Sequence, residues 1–448
     1  MLDTTSPQEL RLRVLKGGET DVRPILDRFL SAVSPRTGII RLLAEERDYY
    51  NDEPKTLLTR ADIAPTVALS SDGYPRRAAE GGRGFSYRDT QVAGVFEGLE
   101  RYSMSVFHRD LLPYGSHASL TAAGKTALRP ADLGCQLTHT TALGDILDTM
   151  DMRWVEGLSL VSGRPVLVPA QLVYVPYHVQ GPEVYLRDPL TTGGAAGLSW
   201  AGAVRRGIME VVERDALMMM HYRDITPDLL DASTLPGDQL RELLDEAERY
   251  RLTVRLFRIP TDVPVHAVVA QVTDDSGVGP EFTLGSKASG SLAESAVGAL
   301  FEAVCFRRGL RERLAHAREF TEHNLAEPSD IICLEDRTYY WCRRGAALEL
   351  DYLNRAPAEA AQDWSTADYD LTDTLDHLTQ QMGEIVVVDV TTPDVAELGV
   401  SVIKAVIPEL QPMHLSEAHR CFTRRIVEGT GAGHFDVARA DRLPHPYL

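Results

Sequence analysis

Apolar residues recur along this chain with two periods, and the periods divide it into elements. Residues 88–107 and 200–222 carry apolar positions at the three- and four-residue spacing of helices. The second is apolar nearly all round: Ile208, Met209, Val211, Val212, Ala216, Met218 and Met219 leave little face for solvent, the pattern of a buried helix. A third helix is predicted from about Ser291 to Arg313, and a charged amphipathic one over QLRELLDEAERY. Strands are predicted at LTVRLFRI, VHAVVAQVT, EIVVVDVTT and VSVIKAVI, where β-branched residues cluster. RPVLVPAQLVYVPY reads as a strand pair interrupted by Pro169, hence an edge or a hairpin. VSPRTGIIRLLAEE reads as a turn and an apolar run. Residues 1–33 read as a short helical extension with Leu10, Val14, Ile25, Phe29 and Leu30 on its apolar faces, and the last 20 residues as irregular. Strands and helices alternate with no low-complexity linker, which predicts a mixed α/β (α+β) fold in one large domain over residues 34–448.

Composition narrows the function. The chain has 448 residues, 44% hydrophobic and 25% charged, as in an ordinary soluble globular protein. Its 65 Asp and Glu outnumber 46 Lys and Arg, a formal charge of −19, which argues against a nucleic-acid partner, since gripping phosphates needs a basic face. Nothing approaches the ~18–20 consecutive apolar residues of a membrane span, and MLDTTSPQELRLRV lacks the basic-then-apolar pattern of a signal peptide. Cys135, Cys305, Cys333, Cys342 and Cys421 are scattered and form no C-x-x-C. They predict neither a disulfide framework nor a structural zinc, and a cytoplasmic location.

One pattern occurs twice. Gly94-Val-Phe-Glu97-Gly-Leu-Glu100-Arg101 and Gly207-Ile-Met-Glu210-Val-Val-Glu213-Arg214 both read G-x-x-E-x-x-E-R. On a helix, carboxylates three apart project from one side. Glu followed by Arg at i+4 is also a common surface pair, worth a few tenths of a kcal/mol. The recurrence and the apolar surroundings of the second copy favour burial, and buried Glu needs a partner charge or a metal. Glu97, Glu100, Glu210 and Glu213 converging from two helices would suit an oxygen-loving divalent ion such as Mg2+, which shares substrate phosphates. Gly81-Gly82-Arg83-Gly84-Phe85-Ser86 precedes the first copy. Its glycines would let backbone N–H groups approach a phosphate, with Arg83 adding charge. It is neither a Walker A loop nor a dinucleotide fingerprint. HLSEAH places His414 and His419 five apart, which is not a zinc-protease spacing, and G-x-S-x-G is absent.

With these residues in order, the chain resembles the YcaO-domain family from about Val33 onward. The resemblance rests on GGRGFS before VFEGLERYS, on TTGGAAGLSWAGAVRRGIMEVVERDA, on GSKASGSLAESAVGALFEAVCFRR and on VIPELQPMH. It implies an ATP- and Mg2+-dependent enzyme that activates a backbone amide of a ribosomally made precursor peptide, leaving an azoline, an amidine or a thioamide. By resemblance, Glu97, Glu100, Glu210 and Glu213 would hold Mg2+ bridging the ATP phosphates. Arg101, Arg214 and Arg307 would contact phosphates or order those carboxylates. Arg83 stands where the family has Lys, Ser86 is nearby, and Glu302 would complete the site.

Several positions depart from the family pattern. Beside the Lys-to-Arg change at Arg83, a small Ser is Ala93, an Asn is Thr192 and a Gln is Cys305. Cys305 in its helix reads as a packing residue. Azoline-forming members often end in a Pro-rich tail that brings the terminal carboxylate to the active site. Leu443-Pro444-His445-Pro446-Tyr447-Leu448 is a partial version, so the Leu448 carboxylate or His445 would serve as general base; the alternative is a frayed tail. The 33 leading residues leave no room for a ThiF-like or winged-helix domain. The expectation is a stand-alone cyclase, or one that recruits a separate partner protein, with a homodimer as the default assembly. Azoline and bottromycin-type macroamidine products both remain open. Thioamidation or methylthiolation, or a catalytically inactive peptide-binding scaffold on the same fold, are the alternatives.

Overall fold

The computed structural model describes residues 6–16, 26–46, 50–134, 145–234, 236–319, 327–357, 367–429 and 432–447. Its strands form three antiparallel sheets. The first contains β1 (Ile40–Glu46), β2 (Leu57–Ile63) and β3 (Ala78–Gly84) in sequence order. The second contains β4 (Tyr114–Ser116), β5 (Asp151–Ser159), β6 (Pro165–Pro169), β7 (Gly194–Gly197), β12 (Val386–Asp389) and β13 (Ser401–Val406). Its order is β4-β5-β12-β13-β7, with β6 alongside β5. The third has the order β11-β10-β9-β8, from β8 (Asp228–Leu230), β9 (Thr253–Ile259), β10 (His266–Thr273) and β11 (Phe282–Ser289).

Helices of eight residues or more among the described residues are α1 (Pro7–Lys16), α2 (Tyr87–Ser105), α3 (Trp200–Tyr222), α4 (Asp238–Arg249), α5 (Leu292–Glu319), α6 (Leu334–Trp341) and α7 (Leu371–Gln381). The long helices link the sheets: α2 packs on β1–β3 and also meets β7, α3 packs on β7 and β13 and also meets β11, and α5 packs on β10 and β11. None is long and apolar enough to cross a membrane.

Sandwiching explains the strand patterns. Val268, Ala270 and Val272 of β10 face Leu292, Ala296 and Leu300 of α5 and Leu240 of α4. Ala267 and Val269 face the opposite core with Ile208 and Val212 of α3. With both faces covered, VHAVVAQVT runs apolar through Ala267–Ala270 rather than alternating. The same holds for β13, where Val402 and Val406 lie in one core and Ile403 and Ala405 in the other.

Three expectations change. RPVLVPAQLVYVPY is one strand, not a pair: β6 pairs with β5, Trp154 opposite Pro169, and the chain then turns through a 3-10 segment at Ala170–Leu172. The N-terminal helix is no appendage, because Leu10 and Val14 of α1 are buried against α3 and α7 in the main core. And Gly81–Gly84 is not a phosphate loop but the end of β3. A Cβ on Gly82 would lie 2.0 Å from the Thr90 carbonyl oxygen of α2, and one on Gly84 2.5 Å from the Asp89 Cβ. These glycines let a strand touch a helix backbone.

The repeated octets also share their start. Ser86 accepts a hydrogen bond from the Asp89 N–H, and Ser199 one from the Gly202 N–H at 3.1 Å. Each serine caps its helix eight residues before the first glycine of its octet. The caps place both carboxylate pairs at the same depth along α2 and α3. Gly82→Ala is expected to lower stability by about 1–3 kcal/mol through overpacking. Gly81→Ala, with nothing within 4 Å of its added Cβ, should be near neutral. Thermal unfolding of the two variants checks this, and equal losses would contradict the close-contact account of β3.

Candidate active site

The three helices meet over a cleft of about 710 Å³. Its walls are Arg83 of β3, Glu97, Glu100 and Arg101 of α2, Gly194–Ala196 of β7, Glu210, Glu213 and Arg214 of α3, Ser286–Ser289 of β11 and Glu302 of α5. Arg205, Arg206, Lys287 and Glu294 also line it. Each sheet contributes one strand end and one helix.

The carboxylates are held individually. Arg101 bridges its own pair, 2.5 Å from Glu97 and 2.6 Å from Glu100. Glu213 accepts from the Ser286 hydroxyl at 2.6 Å and the Ala288 N–H at 3.0 Å. Glu302 accepts from the Ser286 N–H at 2.7 Å and faces Arg83 at 3.3 Å, while the Arg83 guanidinium stacks on Phe306. Glu210 accepts from the Gly193 N–H at 3.2 Å. On the next residue, a Cβ at Gly194 would sit 3.1 Å from Glu100 Oε1. Glu100 and Glu210 therefore flank one two-glycine turn.

That confrontation shows in their acidity. Burial pushes the Glu100 carboxyl up to about 8. Arg101 opposes the shift, while the charges of Glu97 and Glu210 add to it. Glu210 is raised as well, by burial first, against the pull of Arg214 and Arg101. In both, burial of the ionised carboxylate outweighs the cations beside it. The lining carries six carboxylates and six cationic side chains. A ligand of both signs fits such a wall, a hard divalent cation on the glutamates and phosphate oxygens on the guanidiniums.

The positions named by resemblance divide. The cleft gathers Arg83, Glu97, Glu100, Arg101, Glu210, Glu213, Arg214 and Glu302, with Ala93 at its edge. Ser86 is spent on its cap, also pairing with Asp89 at 2.7 Å, and is not in the lining. Arg307 is a correction. It is buried with Glu53 at 2.6 Å, Asp274 and the Pro280 carbonyl at 3.0 Å, so it orders the base of α5 rather than meeting a phosphate. His445 is another. It is fully buried, its Nε2 lies 2.8 Å from the His414 carbonyl oxygen, and burial depresses its basicity far below that of a free imidazole. The Arg337 guanidinium and Trp341 indole donate to the His445 carbonyl at 2.8 and 3.1 Å. Pro444–Tyr447 is thus neither frayed nor part of the cleft wall; it is a buried segment. Leu448 lies outside the described residues. The Cys305 thiol is pushed up to about 12 by burial, as suits a packing residue.

His414, Glu417 and His445 also approach one another closely. Arg337 already pairs with Glu417 at 2.7 Å, so a divalent ion there would stand beside a buried guanidinium, and the cluster reads as structural. Asp215 of the E-R-D-A stretch accepts from the Gln411 N–H at 2.8 Å and pairs with Arg425 at 3.1 Å. It thereby ties α3 to the PELQPMH segment.

Sequence reasoning gave Ser286 and Ala288 no role, because the small residues of FTLGSKAS carry no charge or ligand signal. Its small residues instead let β11 approach α5, where a Cβ on Gly285 would lie 2.3 Å from the Ala299 carbonyl oxygen. Arg205 and Arg206 were also missed, although two cations one turn before Glu210 were a usable signal.

Comparison with known proteins agrees with this geometry. The family profile described as YcaO cyclodehydratase, ATP- and Mg2+-binding, matches residues 81–411. A heterocyclase solved with its substrate and cofactor superposes with a TM-score of 0.73 at 20% identity, over 96% of this chain and 58% of that one. YcaO from Methanopyrus kandleri, bound with AMPPCP and Mg2+, does so with 0.61 at 21% identity, over 94% and 95%. An uncharacterized protein of Methanothermobacter thermautotrophicus is 26% identical over 285 residues, 58% of this chain and 66% of that protein. The chain thus spans just under two thirds of that relative and 58% of the heterocyclase. At such identities the structural likeness establishes the fold.

The raised acidity sets a pH dependence. Below about pH 8 the Glu100 carboxyl holds a proton that an arriving cation must displace, so divalent affinity should rise with pH and level off above about 8. Calorimetric titration with Mg2+ and a non-hydrolysable ATP analogue at pH 7, in buffers of different ionisation enthalpy, should show net proton release. Affinity independent of pH from 6 to 8, without proton release, would contradict the site.

Proposed function

The chain belongs to the YcaO family, and from that premise we propose that it uses ATP and Mg2+ to activate a backbone amide of a ribosomally made precursor peptide and drive its cyclodehydration to an azoline or a macrocyclic amidine. The observation that carries the proposal is the convergence of two E-x-x-E pairs from α2 and α3 on one cleft, with Glu100 and Glu210 buried beyond what their own arginines balance. Binding of Mg2+ and ATP would supply the phosphoryl group that turns the amide oxygen into a leaving group.

The chain's own residues would do the holding. Glu97, Glu100, Glu210 and Glu213 offer hard oxygen ligands on rigid helices. Arg101 and Arg214 pair with those carboxylates and would offer charge to phosphates, and Arg83, aligned by Glu302 and Phe306, would add a planar cation. Hydrogen bonds from Ser286 and Ala288 fix the Glu213 side chain, so its geometry does not depend on the ligand. Charge developing on a transferred phosphoryl group would meet cations already in place. The peptide reaches the cleft on this chain alone or on a separate partner protein.

Incubation of candidate precursor peptides with the protein, ATP and Mg2+, followed by mass spectrometry, tests the reading. Each ring formed should remove one water from the peptide. Glu97→Gln and Glu213→Gln should keep the melting temperature close to wild type while turnover falls by about 10²-fold or more. An exchange of oxygen for sulfur would redirect the reading to thioamide formation. Undiminished turnover in both variants would refute it.

A further inference from the structure

Lys404 of β13 is buried, and its ammonium donates to the carbonyl oxygens of Leu190 at 2.5 Å and Thr192 at 2.6 Å. Without that donor both carbonyls would lose this partner, and a buried carbonyl left unpaired is destabilising. The stretch it fastens leads directly into the carboxylates. Gly194 donates to the Thr191 carbonyl at 2.7 Å, Gly193 accepts from the Ala405 N–H at 2.8 Å, and Lys404 pairs with Gly194 in the β13–β7 register. Gly193 has φ +86°, and a Cβ there would fall 2.3 Å from the Ala405 carbonyl oxygen. The turn is therefore clamped from behind, with Gly193 N–H on Glu210 and Gly194 against Glu100 at its front.

We infer that Lys404 is a positioning residue of the active site, one that sets the gap between the two E-x-x-E pairs by anchoring the 190–194 turn and that tunes the site to a small divalent ion. The inference rests on the function proposed above. The lysine acts on the turn through these two hydrogen bonds; burial draws its basicity down to about 7, and the charges of Glu210 and Glu100 oppose that shift. An apolar residue would pack there at lower desolvation cost but could not hold the two carbonyls. Mg2+ demands near-ideal geometry, whereas Ca2+ accepts a looser shell. A slackened gap should therefore penalise Mg2+ more than Ca2+.

The test measures binding of a β,γ-methylene ATP analogue with Mg2+ or with Ca2+ to wild type and to Lys404→Met. Loss of an outer support of metal ligands should weaken the Mg2+ complex by about 10-fold or more, with a smaller loss for Ca2+ and a lower Mg2+/Ca2+ affinity ratio. A merely structural role would weaken both equally. An unchanged ratio beside normal wild-type binding would overturn this inference and leave the proposed function standing. If wild type binds neither complex, the proposed function fails and the inference with it. Should Lys404→Met not fold, Lys404→Gln, which keeps an amide donor, takes its place. The same fall in ratio is expected, in smaller measure, and an unchanged ratio overturns the inference equally.

Discussion

Two carboxylates that cannot both be comfortably charged face each other across a two-glycine turn, and the architecture around them is arranged to keep them there. Glu100 on α2 and Glu210 on α3 come from helices that rest on different sheets. The Gly193–Gly194 stretch meets both, and a larger residue in it would strike Glu100, Met104 or the Ala405 carbonyl. Burial raises both acids. A protein interior tolerates such a pair only when something positive arrives or a proton stays. In this chain the unfavourable arrangement lies at the centre of the proposed binding site.

The glycines show how the arrangement is built. Gly82 lets β3 reach the backbone of α2, Gly207 lets α3 reach the Gly193 carbonyl, and Gly285 lets β11 reach α5. Each contact brings one helix close to one strand edge, and the three edges enclose the cleft. Polar partners are then added from the strands: Ser286 and Ala288 to Glu213, Gly193 to Glu210, and Lys404 behind the turn. The side chains facing the ligand are thus held by backbone contacts formed during folding.

Part of this was legible in the amino-acid order and part was not. The helical period, the duplicated octet and the apolar girdle of residues 200–222 located α2 and α3 and four of the acidic side chains of the cleft, because helix faces follow from local spacing. The apolar runs gave β9, β10, β12 and β13. What could not be read was contact between distant segments. The glycines before Ser86 looked like a phosphate loop because a close strand–helix crossing has the same composition. FTLGSKAS was not among the predicted strands because its small residues serve a neighbouring helix rather than a strand propensity. Arg307 and His445 were assigned to the site by resemblance, and only the fold shows that one is spent on Glu53 and Asp274 and the other on Arg337, Trp341 and His414. Of the 65 acidic residues, the site uses a handful, and the acidity of the remainder carries no functional message.

The central claim is that the two E-x-x-E pairs are one divalent-cation site. A crystal structure of the protein grown with Mg2+ and a non-hydrolysable ATP analogue tests it most directly. The account predicts metal density between α2 and α3, with carboxylate oxygens of both pairs at about 2.1 Å, and phosphate oxygens turned toward Arg83, Arg101 or Arg214. A nucleotide bound elsewhere, or phosphates in this cleft with Glu100 and Glu210 left metal-free, would contradict it.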